Sequence, residues 1–150
     1  MKKFVSFMIA VLFALTGSIA LFGQGAATSE KLASGNYMVY AVSPQVWRFT
    51  VDSKTMANAT VAGHFAISAG VPKNIDVYVF NEENFTKWRS EDEAAKAGAK
   101  PLFSLLKKDQ GDLNVKLADA GIYYLVFSNL TAYEGTKALD ADVKLQYEKR

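Results

Sequence analysis

The stretch that decides the fold spans residues 121–128 and reads GIYYLVFS. In an extended chain its apolar side chains occupy both faces, Ile122, Tyr124 and Val126 on one and Tyr123, Leu125 and Phe127 on the other. A strand with two apolar faces lies in the middle of a sheet that is covered on both sides. This stretch therefore predicts a central strand in a layered protein.

The segments around it are also typical of strands, but most of them have one apolar and one polar face. In residues 142–147, apolar and polar side chains alternate strictly. Further strand-like runs cover residues 37–42, 46–51, 59–68, 75–80, 102–106 and 113–117. Most of the turns between them are too short for the crossover helix that a parallel pair needs. The pattern predicts an all-β fold, an antiparallel, jelly-roll-like β-sandwich of about seven to nine strands.

One polar region, residues 81–98, interrupts the strand pattern. Asn81 is a favourable N-cap for a first helical turn. Phe85 and Trp88 are three residues apart, so on a helix they would share one face toward the core. We expect one or two short helices near residues 82–97.

The first 27 residues differ from the rest of the chain. Two lysines precede a nearly continuous apolar run at residues 4–22, and small residues follow. This order is typical of a secretory signal peptide, cleaved after Ala20 or, as we favour, after Ala27. The alternative is an uncleaved anchor, because the run approaches the ~20 residues that span a bilayer.

The signal pattern and the strand pattern together divide the chain into three parts. We predict a signal peptide with a signal helix at residues 1–27, a flexible linker at 28–36 and the β-sandwich domain at 37–150. Export makes the protein secreted or periplasmic. It would touch a membrane only through the signal segment, if that segment is uncleaved.

The charge balance argues against nucleic acid as a partner. The chain has 17 lysines and arginines against 15 aspartates and glutamates. Removing Lys2 and Lys3 with the signal leaves 15 against 15, a net charge of zero. No long-range field then favours a polyanion.

Cysteine is absent and histidine occurs once, at His64. These counts exclude a disulfide framework, a thiolate metal site and a thiol nucleophile. A catalytic His64 would need a nucleophile and an orienting carboxylate. The chain has no G-x-S-x-G motif. We predict a half-exposed strand histidine, no catalytic residue and no enzyme.

Carboxylates are the candidate ligands for a metal ion. They form a dense stretch from Glu82 to Glu93, and Asp109, Asp112 and Asp119 lie in turn-like segments. Calcium needs about six to eight converging oxygens, and the calcium-loop pattern is absent. Helix capping and solvation explain most of these charges, so we predict no cofactor, with a structural calcium ion as the alternative.

Aromatic residues outside the clearest strands are the candidate ligand contacts. Trp88 and Tyr133 meet this description, whereas the other aromatic residues suit a β core. Binding faces use such rings because they bring a large contact area at a low entropic cost. We predict ligand binding at Trp88 and Tyr133.

Two stretches resemble a family pattern. The first comprises residues 61–65, VAGHF, with residues 74–88, NIDVYVFNEENFTKW, and the second is residues 120–129, AGIYYLVFSN. Together they resemble the small extracytoplasmic β-sandwich modules of the GOLD (emp24-like) type, and they are similar to bacterial pre-peptidase C-terminal domains. The resemblance spans residues 37–147. It implies a non-catalytic, jelly-roll-like module for contact with a protein or a polysaccharide.

Three functions are compatible with these features. The first is an exported, non-catalytic module that binds a protein or a cell-envelope component, such as an envelope polysaccharide. The second is a carbohydrate-binding module that uses exposed aromatic rings. The third, and least favoured, is a small secreted hydrolase that depends on His64.

Overall fold

The computed structural model describes residues 26–130 and 135–150. Nearly all of the predicted signal segment, residues 1–25, lies outside this range, and so does Tyr133. Over the described ranges, no helix has the length and hydropathy needed to cross a membrane.

Strands dominate the described chain. They are β1 (Ala27–Val39), β2 (Gln45–Val51), β3 (Met56–Ala69), β4 (Ile75–Asn81), β5 (Phe103–Lys108), β6 (Gln110–Lys116), β7 (Gly121–Ser128) and β8 (Lys137–Lys149). Two short helices, α1 (Glu82–Trp88) and α2 (Glu93–Ala97), lie between β4 and β5. Both helices lie where the sequence predicts them.

The strands form two four-stranded sheets with the orders β1-β8-β3-β6 and β2-β7-β4-β5. Every pairing is antiparallel. The chain pairs from its two ends inward, β1 with β8, β2 with β7, β3 with β6 and β4 with β5. This nested pairing, spread over two sheets, is the topology of an eight-stranded jelly roll. The predicted antiparallel β-sandwich is confirmed.

The main core fills the space between the two sheets. Phe65 and Phe127 are fully buried there, with ring centroids 5.6 Å apart. Trp47 contacts Phe127 edge-on at 5.7 Å. Full burial of one large apolar side chain stabilises the fold by about 1.5–3 kcal/mol. With no cysteine in the chain, packing of this kind holds the sheets together.

The central strand β7 is covered on both faces, as its sequence predicts. It lies between β2 and β4. Leu125 and Phe127 face the core between the sheets, whereas Val126 belongs to a second, smaller cluster with Phe80 of β4 and Phe85 of α1. The second cluster exists because α1 folds back over the outer face of its sheet.

Local capping explains where the helices begin and end. The Asn84 backbone N–H donates to the Asn81 side chain at 3.0 Å, so α1 begins directly at the end of β4. Asp92 caps α2 by accepting from the Ala94 N–H at 3.0 Å, and Gly98 ends that helix.

The predicted linker at residues 28–36 is instead part of β1. Its partner is β8, in continuous antiparallel register from Thr28↔Tyr147 to Val39↔Lys137 apart from one bulge. The segment is polar because β1 is an edge strand with few inward positions, of which Ala33 is fully buried. That composition resembles a linker in sequence, but β8 supplies a pairing partner of equal length.

A buried carboxylate fixes the hairpin between β4 and β5. Asp76 is 2% exposed, and its carboxylate accepts a hydrogen bond from the Lys107 backbone N–H at 2.8 Å. Lys107 has a positive φ of 53°, and the β4–β5 register shifts beside it. The Tyr78 hydroxyl also bonds Asp76. Asp76 therefore stabilises an irregular backbone that the regular ladder cannot satisfy.

Candidate functional site

Four connections lie together at one end of the sandwich: β1–β2, β3–β4, β5–β6 and β7–β8. Three of them, all but the one-residue β5–β6 connection, carry a large apolar side chain that is exposed. The exposed fractions are 86% for Val42, 84% for Val71 and 39% for Leu130. Loops held on a rigid sheet are common positions for binding residues.

Two of these loops meet α1 around a depression of about 300 Å³. Its apolar lining comes from Val42, Pro44, Trp88 and Leu130, which we name the loop-end patch. Trp88 is the last residue of α1. Because α1 folds back over the sheet, it carries this ring toward the loops.

Trp88, one of the two predicted ligand contacts, is partly buried. Its ring lies 5.6 Å from Phe80, 5.9 Å from Tyr78 and 6.0 Å from Phe85. These neighbours hold it in place, so a ligand would meet an anchor that loses little entropy on binding. The second predicted contact, Tyr133, lies outside the described residues; Leu130 of the patch precedes it by three positions in the sequence.

The rim of the loop-end patch is polar and carries both signs of charge. Arg89, Ser90, Glu91 and Lys96 line it. The Arg89 guanidinium lies 5.9 Å from the centroid of the Phe85 ring. An apolar centre with a mixed polar rim has the composition of a protein-contact surface.

Two buried polar residues hold the loops beside this patch. Lys137 is fully buried, and its ammonium donates to the Pro72 carbonyl and to Asn74 Oδ1. Burial lowers the pKa of Lys137, because the charged form loses hydration. Asn129 donates to the Gly135 carbonyl at 2.9 Å. These bonds tie the β3–β4 connection to the start of β8 and close the ends of the β7–β8 connection.

A second depression, of about 520 Å³, lies on the outer face of the β1-β8-β3-β6 sheet. We name it the β3 trough. Ala62 and Gly63 contribute to its lining from β3, and its polar side chains are His64, Asp112, Asn114, Asp142, Lys144 and Gln146. No long apolar side chain from the outer face lines it, in contrast to the loop-end patch.

His64 lies in this trough with a carboxylate partner. Its Nδ1 is 2.8 Å from Asp112 Oδ1, and the two side chains are 54% and 87% exposed. The half-exposed strand position was predicted, but the partner was not. The period-two run after Asp112 places that residue on the polar face of β6, yet only the strand order shows that β6 lies beside β3.

The His64–Asp112 pair has half of what a hydrolytic site needs. A nucleophile within hydrogen-bond reach of the imidazole completes such a site. No serine, threonine, tyrosine or cysteine lines the trough, and among the described residues the hydrogen-bond partner of the imidazole ring is Asp112.

Asp142 lies on the opposite side of His64 from Asp112, on β8. The Lys144 ammonium donates to its carboxylate at 2.9 Å. This hydrogen bond, more than any other contact, holds the pKa of Asp142 below its ordinary value. The trough therefore presents an ionised acceptor beside a donor.

The carboxylates suggested as calcium ligands lie apart. Asp112 pairs with His64, Glu83 pairs with Lys87, and Glu93 pairs with Lys96.

Glu82, Glu83 and Asp119 do line one polar depression of about 240 Å³, together with Asn81. Over the described ranges, however, no three acidic or histidine side chains come close enough to hold a metal ion.

No family model matches the chain, and no curated protein matches it either. The case for function therefore depends on the two surfaces described above.

Proposed function

We propose that the protein is an exported, non-catalytic β-sandwich module that binds a protein component of the cell envelope through the loop-end patch. The observation that carries the proposal is the depression that Val42 and Leu130, two exposed apolar loop residues, line together with Trp88. The predicted signal peptide supports export, and the resemblance to extracytoplasmic modules supports a binding role.

The composition of the patch favours a protein partner. Protein interfaces place a few large anchors at an apolar centre and surround them with polar groups. Trp88 provides such an anchor, with Val42 and Leu130 beside it. Arg89 and Glu91 on the rim offer charges that can select a partner and set its orientation.

The same geometry favours the protein partner over a sugar that stacks on an aromatic ring. Stacking needs an open ring face. The Trp88 ring is partly buried and contacts three other rings, and the patch around it is aliphatic. Trp88 is therefore better suited to anchor a protein side chain than to support a flat sugar.

The proposal is tested by capture from an envelope extract of the source organism. Purified chain lacking residues 1–27 is immobilised, and bound proteins are identified by mass spectrometry. The matched variants are Val42→Asp, which charges the patch, and Ser104→Asp, which places the same charge on an exposed position of β5. We expect a protein that binds the parent and Ser104→Asp but is lost with Val42→Asp.

If the same proteins are retained by the parent and by Val42→Asp, the loop-end patch is not the contact surface. Circular dichroism of all three chains controls for folding, because both substituted side chains are exposed and neither change should lower the melting temperature.

A further inference from the structure

The outer faces of the two sheets differ in a way that the proposed function does not use. On the β2-β7-β4-β5 sheet, α1 covers the face with aromatic rings. On the other sheet, no helix lies over the centre of the face among the described residues, and that face carries the β3 trough. The trough shares no residue with the loop-end patch.

The trough follows from the register of three strands. Facing positions form rows across β8, β3 and β6. One row contains Asp142, His64 and Asp112, the next contains Lys144, Ala62 and Asn114, and a third contains Gln146, Thr60 and Lys116. The middle position is small at Ala62, so polar side chains of β8 and β6 form walls on either side of a shallow floor.

Gly63 marks a close approach of β3 and β8 beside Ala62. Gly63 has a φ of 154°, and a Cβ at this position would lie 2.1 Å from the Asp142 carbonyl oxygen. Here β3 and β8 approach so closely that only glycine fits. On the outer face, the small side chain of Ala62 leaves a channel across the sheet between the larger side chains of His64 and Thr60, the neighbouring outward positions of β3.

A ligand in this channel must be recognised by side chains. Strand β3 is paired on both edges, with β8 and with β6, so its backbone groups are already used. An added peptide strand needs a free edge and therefore cannot bind along the channel. A folded protein needs large apolar or aromatic anchors. The one large apolar residue that lines the trough, Leu113, is 2% exposed and belongs to the core between the sheets.

The side chains present suit hydroxyl groups. Asp112 and Asp142 accept hydrogen bonds, Lys144 donates, and the amides of Asn114 and Gln146 do both. A sugar hydroxyl donates and accepts at once, so mixed donors and acceptors can satisfy it in either role. His64 keeps Nε2 for a ligand while Nδ1 bonds Asp112.

The charge of the channel selects among glycans. Its lining contains two carboxylates and one ammonium beside the imidazole. The carboxylates repel a polyanionic glycan and offset the attraction of Lys144. A neutral glycan is not repelled by these charges. Its hydroxyl groups can form charge-assisted hydrogen bonds both with the carboxylates and with the ammonium group.

We infer that the β3 trough is a binding channel for a neutral polysaccharide chain, distinct from the protein-contact surface at the loop-end patch. A sugar unit of the glycan lies over Ala62, between the side chains of His64 and Thr60. Its hydroxyl groups bond Asp142 and Lys144 on one wall and Asn114 on the other. The channel binds the glycan without cleaving it.

The test uses a matched pair of substitutions on one strand. Ala62 and Ala66 are both partly exposed outward positions of β3, four residues apart, but only Ala62 lines the trough. Ala62→Tyr fills the channel, whereas Ala66→Tyr places the same ring outside it. Both changes suit a strand surface, so both variants should fold like the parent.

The probes are soluble glucan, galactomannan, xylan and a chitin-derived oligosaccharide, with alginate as the polyanionic control. Binding is measured by affinity electrophoresis and then by calorimetry. We expect the parent and Ala66→Tyr to bind at least one neutral glycan equally and Ala62→Tyr to lose binding. Asn114→Ala should weaken binding by about tenfold, the effect of one lost hydrogen bond.

Several results would overturn the inference. They are binding of none of the neutral probes, equal binding by Ala62→Tyr and Ala66→Tyr, or preferential binding of alginate. The outcome of this glycan-binding test is independent of the proposed protein partner at the loop-end patch. Val42→Asp alters only the loop-end patch and Ala62→Tyr only the trough, so either proposal can fail while the other stands.

Discussion

The ring of Phe85 lies parallel to the ring of Tyr124, with centroids 3.8 Å apart and planes 9° from parallel. This contact joins α1 to the central strand β7. It explains why the stretch that decides the fold is apolar on both faces: one face fills the core between the sheets and the other receives a helix. The same contact fixes the helix that carries Trp88 to the loop-end patch.

Truncating Phe85 should therefore lower both stability and partner binding. Phe85 is 8% exposed, and replacing a buried phenylalanine by alanine costs about 3–5 kcal/mol. We expect Phe85→Ala to lower the free energy of unfolding by about this amount in urea denaturation. Thr86→Ala, one residue later on the exposed side of α1, should change it by less than about 0.5 kcal/mol. Equal stabilities of the two variants would show that α1 does not depend on this contact.

Replacing the buried Asp76 should destabilise the fold more than replacing an exposed carboxylate. Removing an acceptor that satisfies a buried N–H costs about 1–3 kcal/mol. We expect Asp76→Ala to destabilise the protein by about 3 kcal/mol in the same assay, because the Lys107 N–H and the Tyr78 hydroxyl both lose their acceptor. Asp140→Ala, on an exposed position of β8, is the control and should be close to neutral. A neutral Asp76→Ala would contradict the role given to this carboxylate.

Two glycines in strands distinguish the energetic cost of a steric clash from the cost of backbone strain. Gly63 and Gly35 both have positive φ, 154° and 136°. An added Cβ at Gly63 meets the backbone of β8, whereas at Gly35 it meets nothing within 4 Å. Gly35→Ala should cost about 1–3 kcal/mol from strain alone. Gly63→Ala should cost clearly more, about 4 kcal/mol or above, or prevent folding. Similar melting temperatures for the two variants would rule out the close approach of β3 and β8.

Stability at high pH should depend on Tyr78. Desolvation, with the nearby Asp76 carboxylate, raises the pKa of Tyr78 from 10.0 to about 12. Between these values the unfolded chain has lost this proton and the folded chain retains it, so stability falls as pH rises through the window. Below pH 10 the contribution is fully present.

Tyr78→Phe tests this linkage. The variant lacks the titrating group, so its stability should fall less steeply than that of the parent between pH 10 and pH 12, measured by urea denaturation. Some slope should remain, because the pKa values of Tyr123 and Tyr147 are also raised. Identical slopes for parent and variant would mean that Tyr78 titrates normally in the folded state.

Much of the fold could be predicted from the sequence, because the alternation of apolar and polar residues in strands and the residue types of turns are local signals. The two apolar faces of β7 and the N-cap at Asn81 led to the correct layering and helix positions. The segment 28–36 was predicted as a linker because an edge strand with few inward residues has no strong local signal. Its strand character comes from β8, more than 100 residues away in sequence.

The candidate sites were less predictable, because strand order decides which side chains meet. The sequence suggested Trp88, but not that Val42 and Leu130 would meet it. It predicts His64 on the less apolar face of a strand, but it does not predict Asp112 beside it, because Asp112 falls in a turn-like segment of the sequence. The role of Ala62 as the floor of a channel depends on the pairing of β3 with β6 and β8, which no single segment encodes.

The central claim, that an exported module contacts its partner through the loop-end patch, is tested most directly by site-specific photo-crosslinking in the source cells. A photoreactive amino acid is placed at Val42 or, as the matched control, at Ser104, both exposed. We predict one discrete protein adduct from position 42 that is absent from position 104. Adducts of equal yield from both positions, or none from position 42, would contradict the account.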